Sequence, residues 1–354
     1  MCGDFVVKYF TAVKLSVFVM EIKDLEAIDS KCMFKVYDSW PDIARESFEK
    51  KFEKIDIKNF DHIVFAGMGG SGSIGDALSV ILSKENIHVS NTKGYLLPKT
   101  VDQNSLIVVM SASGNTQETL SILNDATKSK AKVVAFSSGG KMQDFCLRNN
   151  VFFQNISMEH SPRASFARYL FSIVNILEQV IPIKKTDVNQ AILDIKNIQS
   201  RINSSNLEKN NESFELAKWV KNNPLIYYPG GLEACAIRCK NSFQENSKLH
   251  AFVEEVFESC HNGIMSWERQ TSIQPILMQG QDDHPKTKER WKILKEYFQE
   301  KNIPYRDIYS VKGNIFSKIV NLIYVLDYAT IYHAIISKID PSPVSSIEYI
   351  KTRL

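Results

Sequence analysis

Residues 62–72, HIVFAGMGGSG, and residues 105–114, SLIVVMSASG, decide the fold. Each is a short apolar run that breaks into glycine and small polar residues. Each then passes into helical spacing, IGDALSVILSK (74–84) after the first and NTQETLSILNDATKSK (115–130) after the second. A buried run of this length, closed by a turn and followed by period 3.6, reads as a strand feeding a helix. Working outward, residues 42–59 predict an amphipathic helix, IHVS (87–90), AKVVAFSSGG (131–140) and VFFQNI (151–156) further strands, and 165–180 a long apolar helix. A polar stretch rich in Lys, Asn and Ser spans 184–213, helix plus linker. The alternation then resumes with strands at 223–231, 272–280 and 305–311, helices at 232–248 and 286–301, and a long amphipathic helix at 314–336. Strands alternating with helices imply parallel sheets with right-handed crossovers. Both halves open on a strand, a Gly-rich turn and a helix, which suggests an internal duplication at the level of pattern.

The chain has 354 residues, room for about two domains. Lys and Arg number 43 against 40 Asp and Glu, a net charge of +3. So small an excess argues against nucleic acid and against an anionic membrane surface as partners. Six cysteines, at positions 2, 32, 146, 235, 239 and 260, keep no regular spacing and read as reduced thiols of a cytoplasmic protein. Cys235 and Cys239 share a helix face, but no His or second Cys pair completes a tetrahedral set, so no metal is expected. In the first twenty residues Lys8 and Lys14 interrupt the apolar run and no small-residue cleavage pattern follows. That is a poor signal peptide and too short a span for a membrane; a packed strand or an upstream start fits better than export.

Two turns carry candidate chemistry. Gly67, Gly69 and Gly72 satisfy G-x-G-x-x-G after a strand, yet a dinucleotide site also wants an acidic residue about twenty positions on. The corresponding stretch, HVSNTKG (88–94), has none, so NAD is not expected. The second turn, Ser111, Ser113, Gly114, Asn115 and Thr116, leads directly into a helix. The first-turn N–H groups there lack partners and the helix dipole is positive, a ready seat for a phosphate. Capping alone needs one hydroxyl; this turn offers three.

GMGGSGSIGD (67–76), SASGNTQET (111–119) and SSGG (137–140) resemble the sugar-isomerase (SIS) domain of aldose–ketose phosphate isomerases. SPRAS (161–165), QENSK (244–248), ESCHNGIMSWE (258–268) and DPSPVSSIEYIK (340–351) are similar to segments of the archaeal-type bifunctional phosphoglucose/phosphomannose isomerases. The resemblance runs from about residue 30 to the C-terminus. It implies two α/β SIS domains, each a parallel-sheet αβα sandwich of flavodoxin-like type: a lead-in at 1–40, a first domain at 41–195, and a second at 214–354 with C-terminal helices. It also implies a cytoplasmic homodimer of carbohydrate metabolism, in glycolysis and gluconeogenesis, acting on sugar 6-phosphates with no cofactor. In that family a cis-enediol carries the reaction. By motif position Glu245 would be the base, and His261 and Lys351 would act at the ring oxygen. Arg163 would stabilise the developing charge, and Gly70, Ser71, Ser111, Ser113 and Thr116 would hold substrate. This chain departs from the family at Gly263, where a Glu is usual, at Phe257-Glu258, where Pro-Glu is usual, and at Ser342, where Thr is usual. The competing expectation is a regulator that binds sugar phosphate without turning it over; an amidotransferase half, suggested by Cys2, lacks room for its glutaminase.

Overall fold

The computed structural model describes residues 20–208 and 210–354, so the reading of residues 1–19 lies outside the described residues. Three short helices, α1 (Ile22–Ile28), α2 (Met33–Asp38) and α3 (Trp40–Glu49), lead in. The first sheet alternates β1 (His62–Ala66), α4 (Gly69–Leu82), β2 (His88–Thr92), β3 (Ser105–Ser111), α5 (Gln117–Lys128), β4 (Lys132–Ser137), α6 (Gly140–Arg148) and β5 (Phe152–Asn155). Helices α7 (Phe166–Ile176), α8 (Lys185–Ile202) and α9 (Glu212–Trp219) cross to the second half. There follow β6 (Pro224–Tyr228), α10 (Glu233–Asn246), β7 (Phe252–Glu255), α11 (Val256–Ser259), a 3-10 turn (Gly263–Glu268), β8 (Gln274–Gln279), α12 (Pro285–Glu300) and β9 (Arg306–Tyr309). Helices α13 (Ile315–Ile336) and α14 (Ser345–Lys351) close the chain.

Both sheets are wholly parallel. The first runs β2-β1-β3-β4-β5 and the second β7-β6-β8-β9, the same winding with one strand fewer. The first order is the flavodoxin-type 2-1-3-4-5. β1 and β3 are buried along their whole length, as central strands covered on both faces must be. Their register, His62 beside Ser105 and Ala66 beside Val109, brings both carboxyl ends to one edge.

Three expectations shift. The helix expected over 42–59 stops at Glu49, where Lys50 turns extended (φ −61°, ψ 137°). Beyond it Phe52, Ile55 and Ile57 pack on the core from irregular chain, since an Ile-x-Ile alternation suits extended backbone better than a helix. The edge strand β7 adds a pairing that the sequence reading did not contain. Most consequential, α13 is not amphipathic: it is long and apolar enough to cross a membrane, and 94% of its most apolar window lies buried inside the protein. It packs against α8, α9 and α10 at once, so both halves share one core. A helix apolar all round belongs in such a place.

Candidate active site

The crevice at the carboxyl ends of β1 and β3 is where the strand order reverses, the preferred ligand position of such sheets. The glycine segment is not a loop before the helix but its first turn, because α4 starts at Gly69 (φ +53°). Gly70 lies against the SPRAS loop so closely that a Cβ there would stand 2.7 Å from Pro162 O and 2.9 Å from Arg163 N. The buried Ser71 Oγ accepts Ala112 N–H at 3.0 Å, tying the first turn to the second.

In the second turn Thr116 is the N-cap of α5, yet its side chain makes no capping bond. Its Oγ1 instead accepts the Ser111 hydroxyl at 3.1 Å, which leaves the Thr116 proton to be donated outward. Ser111 Oγ also accepts Gly114 N–H at 3.1 Å, and the half-buried Ser113 Oγ accepts Asn115 N–H at 3.3 Å. Gly114 takes φ +66°, and a Cβ on it would fall 1.8 Å from Gly139 O, so the SSGG turn buttresses this one directly. The turn thus presents uncapped helix N–H groups and hydroxyls without a cation, chemistry suited to an oxyanion.

Arg163 joins the halves. The residue is 5% exposed, and all three guanidinium nitrogens are engaged. Nε donates to Asn246 Oδ1 at 2.8 Å, Nη1 to Glu245 Oε2 at 3.2 Å, and Nη2 to the carbonyls of Pro341 at 2.6 Å and Ser342 at 3.2 Å. Its own carbonyl accepts Arg238 Nη2 at 2.8 Å. Arg238 pairs in the core with Asp327, which also takes the Ser242 hydroxyl at 2.7 Å and the Tyr37 hydroxyl at 3.3 Å. Burial, with Asp327 adding to it, pushes the Tyr37 phenol far above its usual range, so it stays a donor. Lys248 donates to the carbonyls of Glu245 and Pro343 at 2.5 and 2.9 Å, clasping the last turn of α10 to the 340–343 turn. Burial and the neighbouring Arg163 lower its pKa.

Of the four catalytic candidates, Glu245 and Arg163 are therefore in contact. His261 stands exposed between α11 and the 3-10 turn, its main-chain N–H on Glu258 O at 2.9 Å. Lys351 stands exposed in the last turn of α14. Neither side chain bonds Glu245 or Arg163. Beside His261, at Cys260, opens a largely apolar cleft of about 470 Å³, lined by Phe257, Ile264, Ile293 and Leu294 together with the charged Lys286, Glu289 and Arg290. At Gly263 a Cβ would meet the end of the Glu254 side chain, Oε2 at 2.5 Å, so a side chain there requires that carboxylate to swing aside. Asn246, Lys248, Arg238 and Asp327 are site residues that the sequence reading assigned no role. Asn246 and Lys248 fell inside a recognised motif, whereas nothing in spacing distinguishes Arg238 or Asp327.

The SIS domain family matches residues 56–174, and the family described as bacterial phospho-glucose isomerase C-terminal SIS domain matches residues 209–354. The chain is 29% identical over 335 residues to a bifunctional phosphoglucose/phosphomannose isomerase of Caldicellulosiruptor bescii, covering 91% of this chain and 98% of that one. It is 30% identical to the protein of that name from Thermoplasma acidophilum, over 83% of this chain and 90% of that one. Its fold is similar to the C-terminal domain of glucosamine-fructose-6-phosphate aminotransferase from Francisella tularensis, with TM-score 0.63 at 16% identity, over 86% of this chain and 96% of that one.

Proposed function

We propose, from the premise that the chain belongs to the family of bifunctional phosphoglucose/phosphomannose isomerases, that it interconverts glucose 6-phosphate and fructose 6-phosphate, and mannose 6-phosphate with the same ketose. The observation that carries this reading is the Arg163–Glu245 contact, 3.2 Å, packed through Gly70 against the hydroxyl-lined crevice. Aldose–ketose isomerisation moves a proton between C2 and C1 on one face of a cis-enediol. One carboxylate with two oxygens serves both carbons. In this role Glu245 takes the C2 proton and returns it at C1. The negative charge that grows on the enediolate oxygens lies within reach of a fixed guanidinium, whose orientation costs no reorganisation as the charge develops. The phosphate sits on the α5 N-terminus with the Ser111, Ser113 and Thr116 hydroxyls, and Ser71 and Gly70 line the same crevice.

The exposed His261 beside a largely apolar cleft supports a homodimer in which this imidazole reaches the crevice of a second copy to assist ring opening, with Lys351 acting at the same oxygen. The free cysteines at 32, 146, 235, 239 and 260 suit a reducing, cytoplasmic setting, and the isomerase reading itself implies a place in glycolysis and gluconeogenesis. The deciding assay incubates the protein with fructose 6-phosphate and follows glucose 6-phosphate through its NADP-linked dehydrogenase, then repeats it with mannose 6-phosphate. Binding without turnover of either sugar would mark a sensor instead. Mixing His261→Ala with Glu245→Gln protein tests the dimer, because shared sites would recover activity that neither variant has alone.

A further inference from the structure

A buried polar cluster beside the site joins the two ends of the chain. Ser342 Oγ stands 3.1 Å from Asp29 Oδ1 and 3.1 Å from His160 Nε2. Asp29 is fully buried at the end of α1, Ser342 is 7% exposed, and the other Asp29 oxygen accepts Phe34 N–H at 2.9 Å. A hydroxyl has one proton to give, and a carboxylate can only accept. Ser342 therefore donates to Asp29 and accepts from His160, which fixes the neutral Nε2–H tautomer. His160 Nδ1 is then a bare acceptor, buried and without a partner among the described residues.

Besides Arg163 itself, the turn that Ser342 belongs to is held from the α10 side by Lys248 on the Pro343 carbonyl, and the Ser342 hydroxyl is its tie to Asp29 and His160 on the other side. Pro341 and Pro343 have no N–H, and the Ser342 N–H goes to Asp340 Oδ1 at 2.9 Å. Yet the Pro341 and Ser342 carbonyls are what hold Arg163 Nη2. We infer that Asp29 and His160 are positioning residues for Arg163: through the Ser342 hydroxyl they set the 340–343 turn, and the turn sets the guanidinium against Glu245. This rests on the isomerase reading above and extends its machinery to the helices ahead of the first sheet.

The neutral imidazole matters to the chain of bonds. Burial holds the His160 pKa down, helped by Arg163 and Lys31 and opposed by Asp29 and Asp340. Protonation would put an N–H on the partnerless Nδ1 and a second cation beside Arg163, and the turn would loosen as pH falls.

The experiment is steady-state kinetics on fructose 6-phosphate across pH, with melting temperatures, for Asp29→Asn, Ser342→Ala, Ser342→Thr and His160→Gln. Loss of a buried, charge-assisted link predicts kcat down by about tenfold or more in Asp29→Asn and Ser342→Ala, with KM moved less than about threefold. Ser342→Thr keeps the hydroxyl and should recover most of the kcat lost in Ser342→Ala. His160→Gln retains a donor but cannot titrate, so the acid limb of kcat should move to lower pH. Folded Ser342→Ala with wild-type kcat, or an unmoved acid limb in His160→Gln, overturns the inference even if Asp29→Asn fails to fold. A wild type that isomerises no sugar phosphate overturns the isomerase reading first, and this inference with it.

Discussion

Glu245 gives one carboxylate oxygen to Arg163, and among the described residues no side chain holds the other. That division suits a base that must hand a proton from one carbon to the next while its charge is steadied. Gln is nearly the same shape and cannot take the proton. Glu245→Gln should therefore bind a phosphorylated sugar-acid inhibitor as the wild type does while turnover falls by at least about a hundredfold, within the usual worth of a general base. Exchange of the substrate C2 proton with deuterated solvent should stop in the same variant; exchange at the wild-type rate would remove Glu245 from the role. The sequence singles out Glu245 and Arg163 because each sits inside a distinctive short motif, and the structure brings the two into contact. Asn246 as the partner of Arg163 Nε and Asp29 as the partner of Ser342 were not legible in the sequence. Those contacts close across 83 and 313 residues, and only the fold reveals them.

Strand-turn-helix punctuation made β1, β3, α4 and α5 readable, since glycine and hydroxyl residues interrupt apolar runs at both strand ends. What the punctuation hid is where backbone meets backbone. Gly70 is glycine because the SPRAS loop lies on it, and a Cβ would face main-chain atoms of Pro162 and Arg163 that cannot swing aside. Gly70→Ala should push the Arg163 loop outward, costing about 1–3 kcal/mol as an overpacked site does. The melting temperature should drop and kcat should fall more than KM rises, which steady-state kinetics and calorimetry would resolve. Ser113→Ala combined with Thr116→Ala should do the reverse. Each removes a donor to an anion, worth roughly 1.5–3 kcal/mol, so together they should lower kcat/KM at least about a hundredfold at nearly constant melting temperature. An unchanged kcat/KM would place the phosphate elsewhere. The equivalent turn of the second sheet lacks this chemistry. After β8, Asp283 takes the Gly280 N–H at 2.9 Å and Asp282 takes the Gly313 N–H at 3.0 Å. Carboxylates there would repel the oxyanion that hydroxyls suit, so the second sheet repeats the winding without the hydroxyl turn.

The two halves are one cooperative body because α13 runs through a core they share. Its polar residues, which the amphipathic reading of 314–336 would set on an outer face, are buried partners: Asp327 of Arg238, Thr330 of Asn246, and His333 edge-on to Phe243. Sequence spacing could not separate those cases, because a buried ion pair and a wet face share the same period. His333 is 6% exposed, and its Nδ1 has no partner among the described residues. Burial first, and Lys221 second, push its pKa down to about 4 from an ordinary 6.5. The unfolded chain therefore binds a proton below about pH 6.5 that the folded protein refuses until about pH 4. Stability is full above pH 6.5 and is lost as pH falls through that window, on the order of 3 kcal/mol for this one group. His62, lowered by burial and by His88, pulls in the same direction. Urea unfolding at pH 7.5 and pH 4.5 should show a markedly smaller difference for His333→Gln than for the wild type, since Gln cannot titrate. If the two differences match, protonation of His333 is not what opens the shared core in acid.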